Sequence, residues 1–174
     1  MLKHTLMTVI ALSVGASAFA STLPAVQGGV TRTVTPMPAA EPVSSGTQCK
    51  AVTETEIAAL FDRWNASLAT GDSKKVVANY ATDSILLPTV SNKPRLSPAE
   101  KEDYFDHFLE KKPQGKIDLR FIQIGCNTAL DAGLYTFTYY TGEKVSGRYS
   151  YTYRWNGSEW LITHHHSSAM PEKK

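Results

Sequence analysis

The residues best equipped for chemistry in this chain are three consecutive histidines, His164, His165 and His166, followed by Ser167 and Ser168. Imidazole titrates nearest to neutrality of all ordinary side chains, so the run offers acid–base groups, hydrogen-bonding groups or metal ligands. It continues the apolar and β-branched stretch Trp160-Leu161-Ile162-Thr163, which reads as a strand. Side chains alternate along a strand, so Trp160, Ile162, His164, His166 and Ser168 share one face and Leu161, Thr163, His165 and Ser167 the other. The pair His164-x-His166 then supplies two ligands, fewer than the three or four that zinc takes, and Cys49, Cys126 and His107 stand at no spacing that completes the set. No metal site is expected; imidazoles lining a pocket or an interface are.

The elements that must hold this strand are marked along the sequence. Thr53-Glu54-Thr55-Glu56 is a capping box, after which Ile57, Leu60, Phe61, Trp64 and Leu68 recur at helical spacing until Gly71. A shorter helix is expected over 72–80 and a short strand over 84–88, ended by Pro88. Ser97-Pro98-Ala99-Glu100 is a second capping box, with proline at the first helical position, and Tyr104, Phe105, Phe108 and Leu109 give that helix an apolar face. From Lys116 the period becomes that of a strand. Ile117, Leu119 and Phe121 alternate on one parity and Ile122, Ile124 and Cys126 on the other, so a β-bulge is expected within the run. Asp131-Ala132-Gly133 reads as a turn, 134–140 as a strand and 145–155 as a long strand, and Asn156-Gly157 makes a hairpin into the histidine strand. Helices first and an antiparallel meander last indicate an α+β domain, with helices covering one face of a curved sheet.

Around that domain the chain changes character. Residues 1–20 carry Lys3, an apolar run from Leu6 to Val14 and the small-residue ending Ala18-Phe19-Ala20. That is the pattern of a secretory signal peptide cleaved after Ala20, too short to span a bilayer. Residues 21–48, with Pro24, Pro36, Pro38 and Pro42 among Thr, Val, Gly and Ser, show neither period and read as a disordered linker, leaving one domain over 49–172. The expected location is the periplasm or the exterior. Lys and Arg total 18 against 16 Asp and Glu, a formal charge of +2 with no basic stripe, so neither nucleic acid nor a membrane surface is expected as a partner. In an oxidising compartment Cys49 and Cys126 are expected to pair as a disulfide, which would stabilise the fold by about 4 kcal/mol on the chain-entropy model.

The order of elements resembles the cone-shaped nuclear transport factor 2-like fold, N-terminal helices packed on a curved, mainly antiparallel sheet that often encloses a pocket. Within it, Asn156-Gly157 followed by Trp160-x-Ile162-x-His164-x-His166-x-Ser168-x-x-Pro171 resembles the association domain of calcium/calmodulin-dependent protein kinase II, and more closely its stand-alone bacterial relatives. The resemblance runs over 52–171, with weaker support from Gly71-Asp72 and Tyr104-Phe105. It implies self-association and a small-ligand pocket. It implies no kinase activity, since the chain contains no Gly-rich loop, His-Arg-Asp catalytic loop or Asp-Phe-Gly. No basic amphipathic helix of the calmodulin-binding kind precedes the domain. The kinase domain has an arginine after the second motif histidine, contributing to a cationic pocket, where this chain has Ser167. Arg148 on the neighbouring strand would have to supply that cation, with Arg95 on the loop before the third helix as a gate or anion clamp.

Two functions follow as expectations. The first is a homodimer or higher oligomer, associating through the face carrying Tyr149, Tyr151 and Tyr153, with a pocket that takes a small organic ligand, anionic in one version, on Arg95, Arg148, His164, His165, His166 and Ser167. The same tyrosines would instead cover the helices if that face is the core. The second is a small isomerase, cyclase or dehydratase acting on a carbonyl compound, with His165 as general base and Tyr104, Tyr80 or Tyr139 donating to the oxyanion. Asp83 is a weaker carboxylate candidate. With no phosphate loop, dinucleotide fingerprint or nucleophile elbow in the sequence, no cofactor is expected.

Overall fold

The computed structural model of the chain describes residues 48–172. The signal peptide expected over 1–20 and the linker expected over 21–48, save its last residue, lie outside the described residues. Helix α1 (Glu54–Leu68) begins at Thr53, whose hydroxyl accepts from the Glu56 amide at 3.2 Å while the Glu56 carboxylate accepts from the Thr53 amide at 2.8 Å. Gly71 ends that turn of chain with φ +69, a backbone conformation that costs glycine little. Helix α2 (Ser73–Val77) is shorter than expected, because the Asn79 side chain donates to the carbonyls of Lys75 and Val76 and releases the chain at Tyr80. Strand β1 (Tyr80–Leu87) therefore starts four residues early. Helix α3 (Pro98–Leu109) carries the second capping box, and β2 (Gln114–Gly125), β3 (Thr128–Thr138), β4 (Lys144–Trp155) and β5 (Trp160–Ala169) follow.

The strands form one sheet in the order β1-β5-β4-β3-β2, antiparallel except where β1 runs parallel to β5. Helices followed by a mostly antiparallel five-stranded sheet make the domain α+β. The buried stripe Ile57, Phe61, Trp64 and Leu68 of α1 lies on the inner face of that sheet. Phe61 meets Tyr149 and Tyr151 at 6.3 and 6.2 Å between ring centres, and Trp64 meets Tyr151 at 5.8 Å. Tyr149, Tyr151 and Tyr153 are all but inaccessible. The tyrosine face is thus core, correcting its expected use as the association surface: α1 brings two large aromatics onto it, and each such ring buries about 150–250 Å².

The β-bulge in β2 falls between Ile117 and Leu119, earlier than the sequence parity suggested, and turns Leu119 and Phe121 to the outer face, where they are 60% and 61% exposed. Asp131-Ala132-Gly133 is not a turn but the middle of β3. Asp131 faces the core, and Gly133 sits beside the bulge, where an added Cβ would stand 1.9 Å from the Leu119 carbonyl oxygen. Only glycine allows that approach, so the Asp-Gly signal here reports a bulge.

Cys49 and Cys126 form the disulfide, tying the segment before α1 to the β2–β3 turn, and the Lys50 amide donates to Asn127 Oδ1 at 2.7 Å beside it. Replacing both cysteines by serine is expected to lower unfolding stability by about 2–4 kcal/mol, measured by urea titration at neutral pH. A loss below about 0.5 kcal/mol would show that the bridge constrains little.

Candidate functional site

A cavity of about 380 Å³ opens between β1, α3 and the inner ends of β3, β4 and β5. Its walls are largely aromatic, with Trp64, Phe105, Phe108 and Phe137 among them, and its polar groups include His165, Ser167, Tyr135, Thr89, Tyr104 and Arg95. Lys111 and His107 also line it, and no aspartate or glutamate does.

A second bulge places His165. Tyr153 pairs with Ile162 and Thr152 with His164, so Thr163 is the extra residue, its hydroxyl donating to the Thr152 carbonyl at 3.1 Å. The bulge reverses the parity of everything after it. Trp160 and Ile162 before it and His165 after it are therefore all buried, while His166 is exposed and His164 only partly covered. Strict alternation had set His165 opposite Trp160 and Ile162; the structure puts them on one side.

His165 is 4% exposed. Its Nδ1 stands 2.7 Å from the Tyr80 hydroxyl, which also accepts from Trp64 Nε1 at 3.1 Å. The ring lies 4.2 Å from Tyr151 and takes the edge of Trp64 at 5.5 Å, and Nε2 has no protein partner. Burial holds the imidazole pKa down at about 3, with smaller contributions in the same direction from His164 and His166. Such a ring is neutral at physiological pH and a poor proton acceptor. The general-base role expected for His165 therefore does not fit its surroundings: a base working near neutrality needs a pKa near neutrality.

The neighbouring hydroxyls form a cluster. Tyr135 and Thr89 both hydrogen-bond Ser167, and burial pushes the Tyr135 phenol up to about 12. Tyr104 is raised further by the same cause, so both stay protonated. Arg95 lies over the Tyr104 ring at 5.8 Å; its Nη1 donates to Asp103 at 2.6 Å, and its Nε is buried without a partner.

Residues 53–171 match the model of the calcium/calmodulin dependent protein kinase II association domain. The chain belongs to this family. Among solved structures, a protein from Xanthomonas campestris described as such an association domain is 47% identical, with a TM-score of 0.67, covering 72% of this chain and 96% of its own. A nuclear transport factor 2-like protein from Pseudomonas putida KT2440 has 18% identity, a TM-score of 0.62 and coverage of 72% and 92%. A cyanobacterial iota-carbonic anhydrase complexed with bicarbonate has 19% identity, a TM-score of 0.64 and coverage of 71% and 95%. These last two share the fold. A search of the curated proteins finds no match.

Within this association domain, Arg148 does not supply the pocket cation expected of it. It is exposed on the outer face, where its Nε donates to Ser168 Oγ at 3.2 Å, and it does not line the cavity. Arg95 does line it, so the two guanidinium groups diverge and the expected clamp does not form. Asp83 is a surface group that accepts two hydrogen bonds from Arg154, at 2.8 and 3.0 Å. Tyr139 lines the cavity wall under the Lys111 ammonium, 5.0 Å from its ring centre. Among the described residues no group of three or more His, Cys, Asp and Glu is placed to hold a metal ion. Thr89 and Tyr135 join the site only through the fold. Tyr135 alternates with the inward Phe137, which was a usable signal, whereas nothing near Thr89 marks it.

Proposed function

We propose that this chain is an exported, self-associating domain whose cavity binds a small organic anion through neutral hydrogen-bond donors and Arg95. The observation that carries the ligand reading is the composition of the cavity. It combines aromatic walls, an arginine with an unpartnered buried Nε, and a cluster of protonated hydroxyls, with no carboxylate among its lining residues. A negatively charged group entering such a site meets donors and no lining carboxylate, with Asp103 outside the lining and paired to Arg95 Nη1, while its apolar remainder meets rings. Titration calorimetry with sodium benzoate is the test. Binding is expected, with Arg95→Ala weakening it by about tenfold, the worth of one charge-assisted hydrogen bond. Equal affinity for benzyl alcohol would sink the anion reading.

Export is supported by the leader-like first 20 residues and by the Cys49–Cys126 bridge, which oxidising compartments favour. No helix among the described residues is long and apolar enough to cross a membrane. Self-association is supported by the family description and by the outer face of the sheet, where Leu119 and Phe121 stand exposed with Ala132 and Leu134 as their cross-strand partners. Apolar side chains grouped on one face favour burial against a second copy. Phe121→Asp is expected to shift the dimer to monomer in native mass spectrometry at micromolar concentration. A wild-type monomer, or a variant whose mass distribution does not change, would remove that face from consideration.

A second reading is favoured by the hydroxyl cluster of Thr89, Tyr135 and Ser167. Bicarbonate is a small oxyanion that such a cluster suits, and a structure of the same fold is described as an iota-carbonic anhydrase complexed with it. Hydration of carbon dioxide to bicarbonate and a proton, followed by stopped-flow pH change, tests this directly. Activity abolished by Ser167→Ala would support it, and a rate no faster than buffer would exclude it.

A further inference from the structure

We propose that Tyr80 is a positioning residue that locks His165 in its Nε2–H tautomer, so that a fixed donor stands behind the cavity wall and favours ligands that bring an acceptor to it. The selection clause rests on the ligand-binding reading above; the tautomer clause does not. Three buried groups carry the argument, and they can be satisfied in one way. Trp64 Nε1–H is only a donor, and it is spent on the Tyr80 oxygen. Tyr80 is almost fully buried, its phenol is held protonated by that burial, and its one O–H needs an acceptor. The group in range is His165 Nδ1, at 2.7 Å. Nδ1 must then carry a lone pair, and a neutral imidazole with a lone pair on Nδ1 has its proton on Nε2.

Nε2 lacks a protein partner in every protonation state, and each alternative strands the Tyr80 hydrogen as well. With the proton on Nδ1, the Tyr80 oxygen would accept from both Trp64 and His165, and its own hydrogen would point at no acceptor in a closed site. With both nitrogens protonated the same stranding occurs, and a charge is buried against Tyr151 and Trp64, where the surroundings hold the ring neutral. The Nε2–H so assigned is itself buried and meets no protein acceptor, and His165 is among the residues that line the cavity. A bound molecule that reaches this hydrogen by moving a lining side chain would supply the acceptor. Carboxylates, carbonyls and bicarbonate offer one; an ammonium group or an apolar end does not. The relay runs from α1 through β1 to β5, so the donor is set by residues that need not touch the ligand.

Long-range proton–nitrogen correlation of the histidine rings at pH 7 tests this without any ligand, with His165→Asn assigning the His165 signals. The expected pattern is a pyridine-like Nδ1 and a pyrrole-like Nε2. In Tyr80→Phe the Nδ1 signal is expected to move to the position of an unbonded nitrogen, and sodium benzoate affinity to fall about tenfold. A pyrrole-like Nδ1, a doubly protonated ring, or an Nδ1 signal unmoved in Tyr80→Phe would each overturn the assignment. Should Tyr80→Phe fail to fold, the wild-type spectrum and the same measurement on Trp64→Phe decide it. If wild type binds no benzoate, the anion reading of the cavity falls, and the nitrogen signals still decide the role of Tyr80.

Discussion

Between pH 7 and pH 5 the wild-type domain is expected to lose about 2 kcal/mol of unfolding free energy that a His165→Asn variant keeps. The sign follows from which state takes up the proton. In the unfolded chain the imidazole protonates near 6.5, and in the folded domain burial delays protonation to about 3. A histidine whose folded pKa is depressed contributes stability above its unfolded value, and that stability drains away as pH falls toward the folded one. Across the whole interval the difference approaches roughly 5 kcal/mol, since one pKa unit is worth about 1.4 kcal/mol. Below pH 5 carboxylates add their own losses, Glu100 among them, held at about 2 by its bonds to Lys93, Leu96 and Ser97. The interval from pH 7 to 5 therefore leaves the histidines, and the loss from His164, also lowered by burial, is common to both proteins and cancels between them. Asparagine keeps an acceptor for the Tyr80 hydroxyl and cannot titrate, so urea unfolding of the pair at the two pH values reads the proton alone. Parallel pH dependences in the two proteins would mean that His165 titrates normally and that its ring is hydrated in solution.

The same residue shows where sequence reasoning reached and where it stopped. Capping boxes at Thr53 and Ser97 located two helices because the chemistry of a helix start is local, written within four residues. The order of elements, and with it the α+β class, followed from periods that are likewise local. The side to which His165 points is not local. It depends on a bulge at Thr163, in a strand paired with β4 on one side and β1 on the other. In β2 a parity change between apolar residues announced a bulge, though its place was read too late. In β5 the residues after the bulge are polar, so no apolar parity marked the change. Asp131 failed for a related reason: Asp-Ala-Gly reads as a turn until its cross-strand neighbours are known. Tyr80 and Trp64 are 16 positions apart, and their meeting at His165 is a fact of tertiary packing alone.

Arg120→Met is expected to destabilise the domain by about 3 kcal/mol at pH 7, and Asp131→Asn in the same chain to recover most of that loss. Asp131 is buried, its Oδ1 accepting from Arg120 Nε at 3.2 Å and from the Tyr149 hydroxyl at 2.8 Å, while Oδ2 has no partner. Burial is the largest influence on the carboxyl and raises its pKa, against the lowering effects of Tyr149 and Arg120. Arg120 thus offsets a desolvation cost rather than adding a surplus, and removing it leaves a buried charge with one phenol for company. The pH dependence then runs opposite to that of His165. A carboxyl whose folded pKa is raised favours the folded state below its unfolded value, and that advantage disappears as pH rises through the folded one. Without Arg120 the folded value rises further, so the single variant, which keeps His165, is expected to lose less stability than wild type between pH 7 and pH 5. Urea titrations of wild type, both single variants and the double variant at the two pH values form a cycle that measures the coupling. If Arg120→Met and the double variant prove equally unstable at both pH values, the loss comes from the packing of Arg120 against Phe61, 5.8 Å from its guanidinium, and not from the charge it leaves behind.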